Sequence, residues 1–336
     1  MSVALERLPE PILVVGGYGY GNVGDEAILA GLLAQLESRR LTVVSRDPHE
    51  TTRLHGVPSI PISAAVGALR SHRSIVIGGG GLFGRDMGMT GRLLPAFALM
   101  ALALARPVVI EGIDVDGELS RSGRILVPAL MRRAWAVTVR DRASVAVLDR
   151  MGVRANLAPD LSERMPHASP LAGRALLHAA GVDLERPTVG LALTAVDASL
   201  TDAVVDAAVA AIDEMPEAEF CFIPMSRHPT VAAHNDHVLA ERIRARSSRL
   251  TILDTTMHPA QVLSAFGHLA AVVAMRYHAM LFAERAGTPL VPVVYAEKNA
   301  RWLDERGLEP VAPEPRAIGG AVREALESRR VPLEAA

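Results

Sequence analysis

A chain of 336 residues, half of them apolar and only 4% aromatic, has room for two domains with cores of Ala, Val, Leu and Ile. A formal net charge of −2, with no basic stripe interleaved with aromatics, excludes nucleic acid and other polyelectrolytes as partners. The single cysteine, Cys221, excludes a disulfide framework and a thiolate metal cluster.

The N-terminus carries no basic region followed by an apolar run and cleavage site, so a cytoplasmic location is expected. The first predicted strand, 11–15, runs into a glycine-rich segment, 16–24, and then a helix over 25–38. In that helix Ile28, Leu29, Leu32, Leu33 and Leu36 recur at helical spacing. A strand, a glycine-rich turn and a helix N-terminus present backbone N–H groups to a ligand. Gly19, Gly21 and Gly24 satisfy the dinucleotide-binding spacing, and Asp47 lies at a suitable distance, just past the strand 41–45. Asp25 and Glu26 argue against that ligand, because two carboxylates in the first helical turn repel a pyrophosphate. Asp25 is either a helix residue that favours the dipole or a carboxylate that orients or deprotonates a sugar hydroxyl.

Further strands at 74–78, 107–111, 135–139 and 153–158 alternate with helices at 63–71, 90–105, 123–133 and 142–151. This is the pattern of a doubly wound parallel sheet. The most apolar stretch, 93–105, is too short to span a bilayer and reads as a buried helix. Four glycines at 78–81 form either a tight turn or a loop that lets backbone approach a ligand, with Gly79 and Gly80 as candidate contacts. Arg140, at a strand end, either grips a carboxylate or phosphate through its fork or pairs with Asp141 to close the next helix.

The proline-containing segment 159–170 reads as a linker between domains 1–165 and 166–336. The second domain repeats the style, with strands at 188–194, 219–223, 250–253, 271–274 and 290–294. Its helices fall at 200–214, 230–246, 259–265, 279–286 and 316–328. The fold class is therefore α/β, with two doubly wound Rossmann-like domains facing a cleft in the GT-B manner, and ligands are expected beyond the carboxyl ends of strands. Arg276, Tyr277 and His278 occupy the turn after strand 271–274, where a cation and an imidazole suit an anionic substrate that needs proton transfer. Tyr295, Glu297 and Lys298 follow the last strand, and Lys298 is the sole lysine among 35 basic residues, as if a compact point charge were required there. His234 and His237 share a predicted helix near His228 and Asp236, but no third ligand joins them and no metal is expected. No G-x-S-x-G elbow is present.

In order along the chain, segments 19–29, 78–83, 139–141, 159–161, 275–279 with Phe282 and Ala283, and 295–298 resemble the polysaccharide pyruvyl transferase family. The resemblance spans nearly the whole sequence. It implies transfer of the carbon skeleton of phosphoenolpyruvate to a sugar diol, with release of phosphate and formation of a pyruvate ketal. By this resemblance Arg276 and Arg140 hold the carboxylate and phosphate, Tyr277 adds backbone contacts, and Lys298 neutralises charge. His278 is the acid and Asp25 acts on the acceptor hydroxyl, with Gly21, Asn22, Gly24, Glu26, Gly79 and Gly80 around the acceptor. The first domain becomes the acceptor side and the second the phosphoenolpyruvate side, with no cofactor beyond the donor. The implied acceptor is a lipid-linked cell-wall saccharide containing N-acetylmannosamine, which would bring the chain to the inner membrane face. The chain departs from the family pattern at Thr194, where many relatives carry arginine, and at Tyr277, where leucine is commoner. The competing readings are a GT-B glycosyltransferase using a nucleotide sugar, a nicotinamide-dependent enzyme, and a non-catalytic glycan-binding relative.

Overall fold

A computed structural model describes residues 3–84, 90–115 and 117–328; residues 329–336, the end of the second expected domain, lie outside it. Contacts divide the chain into two units, Met1–Tyr20 with Asp25–Pro166, and Gly21–Gly24 with His167–Ala336.

In the first unit the strands are β1 (Ile12–Val15), β2 (Leu41–Ser45), β3 (Ser59–Pro61), β4 (Ser74–Phe83), β5 (Val108–Val115), β6 (Ala136–Val139) and β7 (Asn156–Leu157). They form a parallel sheet in the order β3-β2-β1-β4-β5-β6-β7. The helices are α1 (Val3–Glu6), α2 (Val23–Gln35), α3 (Pro48–His55), α4 (Ala65–Ala68), α5 (Thr90–Ala103), α6 (Gly123–Met131) and α7 (Arg142–Arg150). Alternate side chains of the strands enter different cores. Ile12, Val14, Val76 and Val109 meet Ile28, Leu29 and Leu32 of α2 on one face. Leu13, Val15, Ile75, Ile77 and Ile110 meet Leu94, Ala98 and Ala101 of α5 and Leu130 of α6 on the other. A period of two with both faces apolar is what a sheet covered on both sides demands, and each such side chain contributes about 1.5–3 kcal/mol.

Three expectations are corrected here. The glycines 78–81 are not a turn but the continuation of β4. A Cβ at Gly78 would lie 2.5 Å from Leu32, and one at Gly79, where φ is +52°, 2.0 Å from Ile28, so the absent side chains let α2 lie close against the strand. The stretch 48–61, for which no element was expected, holds α3 and β3, and Asp47 caps α3 by accepting from the Glu50 N–H at 3.0 Å. The apolar stretch 93–105 forms most of α5, but only one side is buried; Leu93, Met100 and Leu104 face solvent.

In the second unit α8 (Pro170–Ala179) precedes β8 (Thr188–Ala192), α9 (Ala198–Glu214), β9 (Glu219–Phe222), α10 (Asp236–Arg244), β10 (Leu250–Ile252) and α11 (Pro259–Phe266). There follow β11 (Ala271–Ala274), α12 (Tyr277–Ala286), β12 (Leu290–Pro292), α13 (Glu297–Asp304) and α14 (Pro315–Ser328). The parallel sheet has the order β10-β9-β8-β11-β12 around a core of Val189, Leu191, Phe220, Phe222 and Val273. The expected helix 230–246 begins only at Asp236, because Asn235 turns the chain and caps it, accepting from the His237 N–H at 3.1 Å. His234 therefore lies in a separate 3-10 turn and does not share a helix with His237. Ser169 and Pro170, read as linker, are the N-cap and first residue of α8. Lys298 sits in the first turn of α13 rather than at a strand end. Among the described residues no helix is long and apolar enough to cross a membrane.

Each sheet changes winding direction at its first strand: β1 lies between β2 and β4, and β8 between β9 and β11. The carboxyl ends at these switch points are where doubly wound sheets bind ligands.

Candidate active site

At the switch point of the first unit, the loop after β1 is held from beneath by Glu26. Its Oε1 accepts from the Gly19 N–H at 2.8 Å, and its Oε2 meets His55 Nε2 at 2.8 Å, with both side chains buried. Glu26, proposed from sequence as an acceptor contact, is thus occupied in shaping the loop. The Tyr18 hydroxyl donates to the Gly78 carbonyl at 3.0 Å, and burial, with Asp25 and Glu26 nearby, pushes its pKa well up. Asp25 is half-buried beside bare backbone. A Cβ at Gly17 would lie 3.6 Å from its Oδ2 and one at Gly80 3.1 Å from its Oδ1. The carboxylate thus lies against Gly17, just after β1, and Gly80 in the middle of β4.

The segment Gly21–Gly24 belongs to the second unit, where it pairs antiparallel with the residues after β9. Val23 N–H donates to Met225 at 2.9 Å, Arg227 N–H to Gly21 at 2.8 Å, and Asn22 bridges Ser226. The Asn22 side chain accepts from the Gly24 N–H at 2.9 Å. Gly24 is then pressed against His278, since a Cβ there would stand 2.0 Å from Nδ1 of the imidazole. The last glycine of the fingerprint thus makes room for a histidine ring.

His278 and Tyr277 open α12, their rings meeting edge-on at 5.3 Å, and Arg276 is the residue that precedes the helix. The Arg276 guanidinium is fixed by Asp236, with Nη2 to Oδ1 at 2.5 Å and Nε to Oδ2 at 3.1 Å. Asp236 is 1% exposed and also accepts from the Ser226 N–H at 2.9 Å. Burial raises the Asp236 pKa, against the lowering influence of Arg276 and of a hydrogen bond from Thr194. Burial alone would lower the Arg276 pKa, but Asp236 and Tyr295 more than offset it and hold the charge firmly. The sequence reading had placed Asp236 only among possible metal ligands. The signal that identifies it is its place as the first residue of a capped helix, visible once Asn235 is recognised as the cap. Thr194, the departure from the family pattern, lies in this same network.

The other candidates divide. Arg140 is buried, with Nη1 on Asp160 at 2.8 Å and Nη2 on Asp114, so its fork already serves two carboxylates. Asp141 caps α7, accepting from Ser144 at 2.7 Å. Lys298 is exposed. The rings of His228 and His234 meet edge-on at 5.8 Å, and His237 pairs with Glu241 at 3.3 Å. Arg227 and His237, which directly follow Ser226 and Asp236, line a cavity of about 370 Å³ together with Arg244, Asp254 and Thr256.

The family model for polysaccharide pyruvyl transferases matches residues 22–297. No curated protein matches by sequence. Similar solved structures include the S. aureus MnaA–UDP co-structure, with 13% identity, 96% of this chain and 89% of that one covered, and a TM-score of 0.61. UDP-GlcNAc 2-epimerase from Neisseria meningitidis bound to UDP-GlcNAc matches with 10% identity, 95% and 92% coverage and a TM-score of 0.62. E. coli ADP-heptose LPS heptosyltransferase II matches with 14% identity, 96% and 100% coverage and a TM-score of 0.52. At such identities the likeness is one of fold, the α/β GT-B type. The family match covers most of the chain, including Asp25, Asp236, Arg276 and His278, so the chain belongs to the polysaccharide pyruvyl transferase family and is a transferase.

Proposed function

We propose that the chain transfers pyruvate from phosphoenolpyruvate to a sugar diol of a surface-polysaccharide precursor, leaving a pyruvate ketal and releasing phosphate. The observation that carries this reading is the Arg276–Asp236 clamp at the end of β11, with His278 two residues on in the first turn of α12. Asp236 fixes the Nε and Nη2 edge of Arg276 and Tyr295 contacts the same side chain, and the guanidinium so held offers its remaining N–H groups to the anionic donor. The N-terminus of α12 adds its backbone N–H groups and dipole.

His278 delivers a proton to the methylene carbon of phosphoenolpyruvate, and the adjacent carbon gains positive charge. A sugar hydroxyl adds there and gives its proton to a carboxylate, the role assigned to Asp25. The carbon–oxygen bond to phosphate breaks, the departing phosphate takes the proton that Asp25 received, and the second hydroxyl closes the ketal as its proton returns to His278. The cations Arg276 and Lys298 stabilise the departing phosphate. Every atom comes from the two substrates.

The test is phosphate release from phosphoenolpyruvate in the presence of saccharides with free diols, read together with the ketal methyl resonance of the product. Release that depends on the acceptor, lowered roughly 10²–10⁴-fold in His278→Gln, is the expected result. Phosphate release indifferent to acceptor, with no ketal methyl, overturns the reading.

A further inference from the structure

The helix pair α5 and α6 departs from the pattern of a surface helix, and the departure is independent of the site above. The two helices cross over between neighbouring strands, β4 to β5 and β5 to β6, and pack side by side on one face of the first unit's sheet. Leu94, Ala98, Ala101, Val127 and Leu130 point inward. A surface helix normally carries polar residues on the opposite side. Over residues 93–105, in α5 and the turn after it, the exposed residues are Leu93, Ala96, Met100, Ala103, Leu104 and Ala105, with no polar group among them. Leu104 is 54% exposed, Ile125 of α6 71%, and Trp135, just before β6, 56%. The α5 stripe from Leu93 to Leu104 runs about 17 Å. Trp135 N–H donates to the Val108 carbonyl at 2.8 Å, which puts it at the same end of the sheet as Leu104.

Charge identifies what covers this face. Exposed Arg121, Arg124, Arg132 and Arg133 surround it, and no Asp or Glu occurs at 87–110 or 119–140, in a chain whose overall charge is −2. Arg124 and Arg132 bond only backbone carbonyls, and among the described residues no carboxylate pairs with any of the four. Apolar side chains, an exposed tryptophan and arginines that pair with no described carboxylate are the composition of a surface that lies in the headgroup region of a bilayer. A second copy related by a two-fold axis would instead set arginine against arginine. We propose that the outer face of α5 and α6, with Trp135, seats the protein on an anionic membrane surface.

The test is sedimentation of the full chain with vesicles of phosphatidylcholine alone or of equimolar phosphatidylcholine and phosphatidylglycerol. The expected result is salt-sensitive binding to the anionic vesicles. Arg124→Ser with Arg133→Ser weakens it about 20- to 30-fold, and Leu104→Glu with Ile125→Glu more than tenfold. All four positions are exposed, so both variants keep the parent Tm. In the unmodified protein, anionic vesicles shift Trp135 emission to the blue; Trp302, the other tryptophan, is already buried. No sedimentation, undiminished binding by both double variants, or a dimer abolished by the Leu104/Ile125 variant while vesicles leave Trp135 emission unmoved would each overturn the proposal.

Discussion

Asp236 is the residue on which the donor side of the account turns, because Arg276 is positioned only as well as its buried partner holds it. Asp236→Asn leaves a buried guanidinium without its counter-charge, which costs about 3–5 kcal/mol. Both the Tm and the affinity for phosphoenolpyruvate should fall; an unchanged affinity contradicts a positioning role. A second buried carboxyl, Glu111 of β5, gives a pH signature. Burial raises its pKa, with the Thr138 hydrogen bond and Arg164 opposing only in part. A carboxyl with a raised folded-state pKa binds its proton more tightly when folded, so its stabilisation is full below the unfolded value and lost as pH rises through the folded one. Glu111→Gln should therefore gain Tm over the parent as pH is raised across that window, measured by calorimetry. Equal slopes for the two proteins would show that folding does not raise the Glu111 pKa. Arg276 and His278 were legible in the sequence because a strand, a cation and a helix start occur together. Asp236 was not, because it lies forty positions before Arg276 in the sequence and only the fold brings the two together.

Among elements, β4 shows how glycine can mislead. The run 78–81 suggested a ligand loop, yet Gly78 and Gly79 are explained by helix α2 lying on the strand. Gly79→Ala adds a methyl 2.0 Å from Ile28 at a positive φ, and should destabilise the protein by about 2–5 kcal/mol. Ile28→Ala should recover part of that loss, and strictly additive effects in the double-mutant cycle would contradict the contact. The strand and helix alternation was readable from apolar periodicity. The elements α3 and α13 were not, since both are short and polar, and α8 was not, since its cap Ser169 and first residue Pro170 fall in a proline-containing stretch that reads as linker. Arg140 tests a different link, between element and site. It ties the end of β6 to Asp114 and Asp160, so Arg140→Leu should lower the Tm by the equivalent of about 3–5 kcal/mol. A retained Tm with weakened phosphoenolpyruvate binding would make it a ligand of the anion instead.

For the whole molecule, the first-half fingerprint serves both units. Residues up to Tyr20 and from Asp25 fold with the first, whereas Gly21–Gly24 pair with the second and give His278 its seat. Gly24→Ala should therefore displace a ring in the other half of the sequence and reduce turnover about a hundredfold, with a far smaller effect on stability. A dinucleotide reading of the same glycines predicts no coupling to His278. The central claim is that the Arg276 clamp binds phosphoenolpyruvate, and thermal stabilisation of the purified chain tests it most directly, with UDP-GlcNAc and NAD run in parallel. Saturation at a hundredfold excess over Kd stabilises by about 2.7 kcal/mol. The account predicts that shift for phosphoenolpyruvate alone and its loss in Arg276→Ala, whereas a shift with the nucleotide sugar only, retained in that variant, would contradict it.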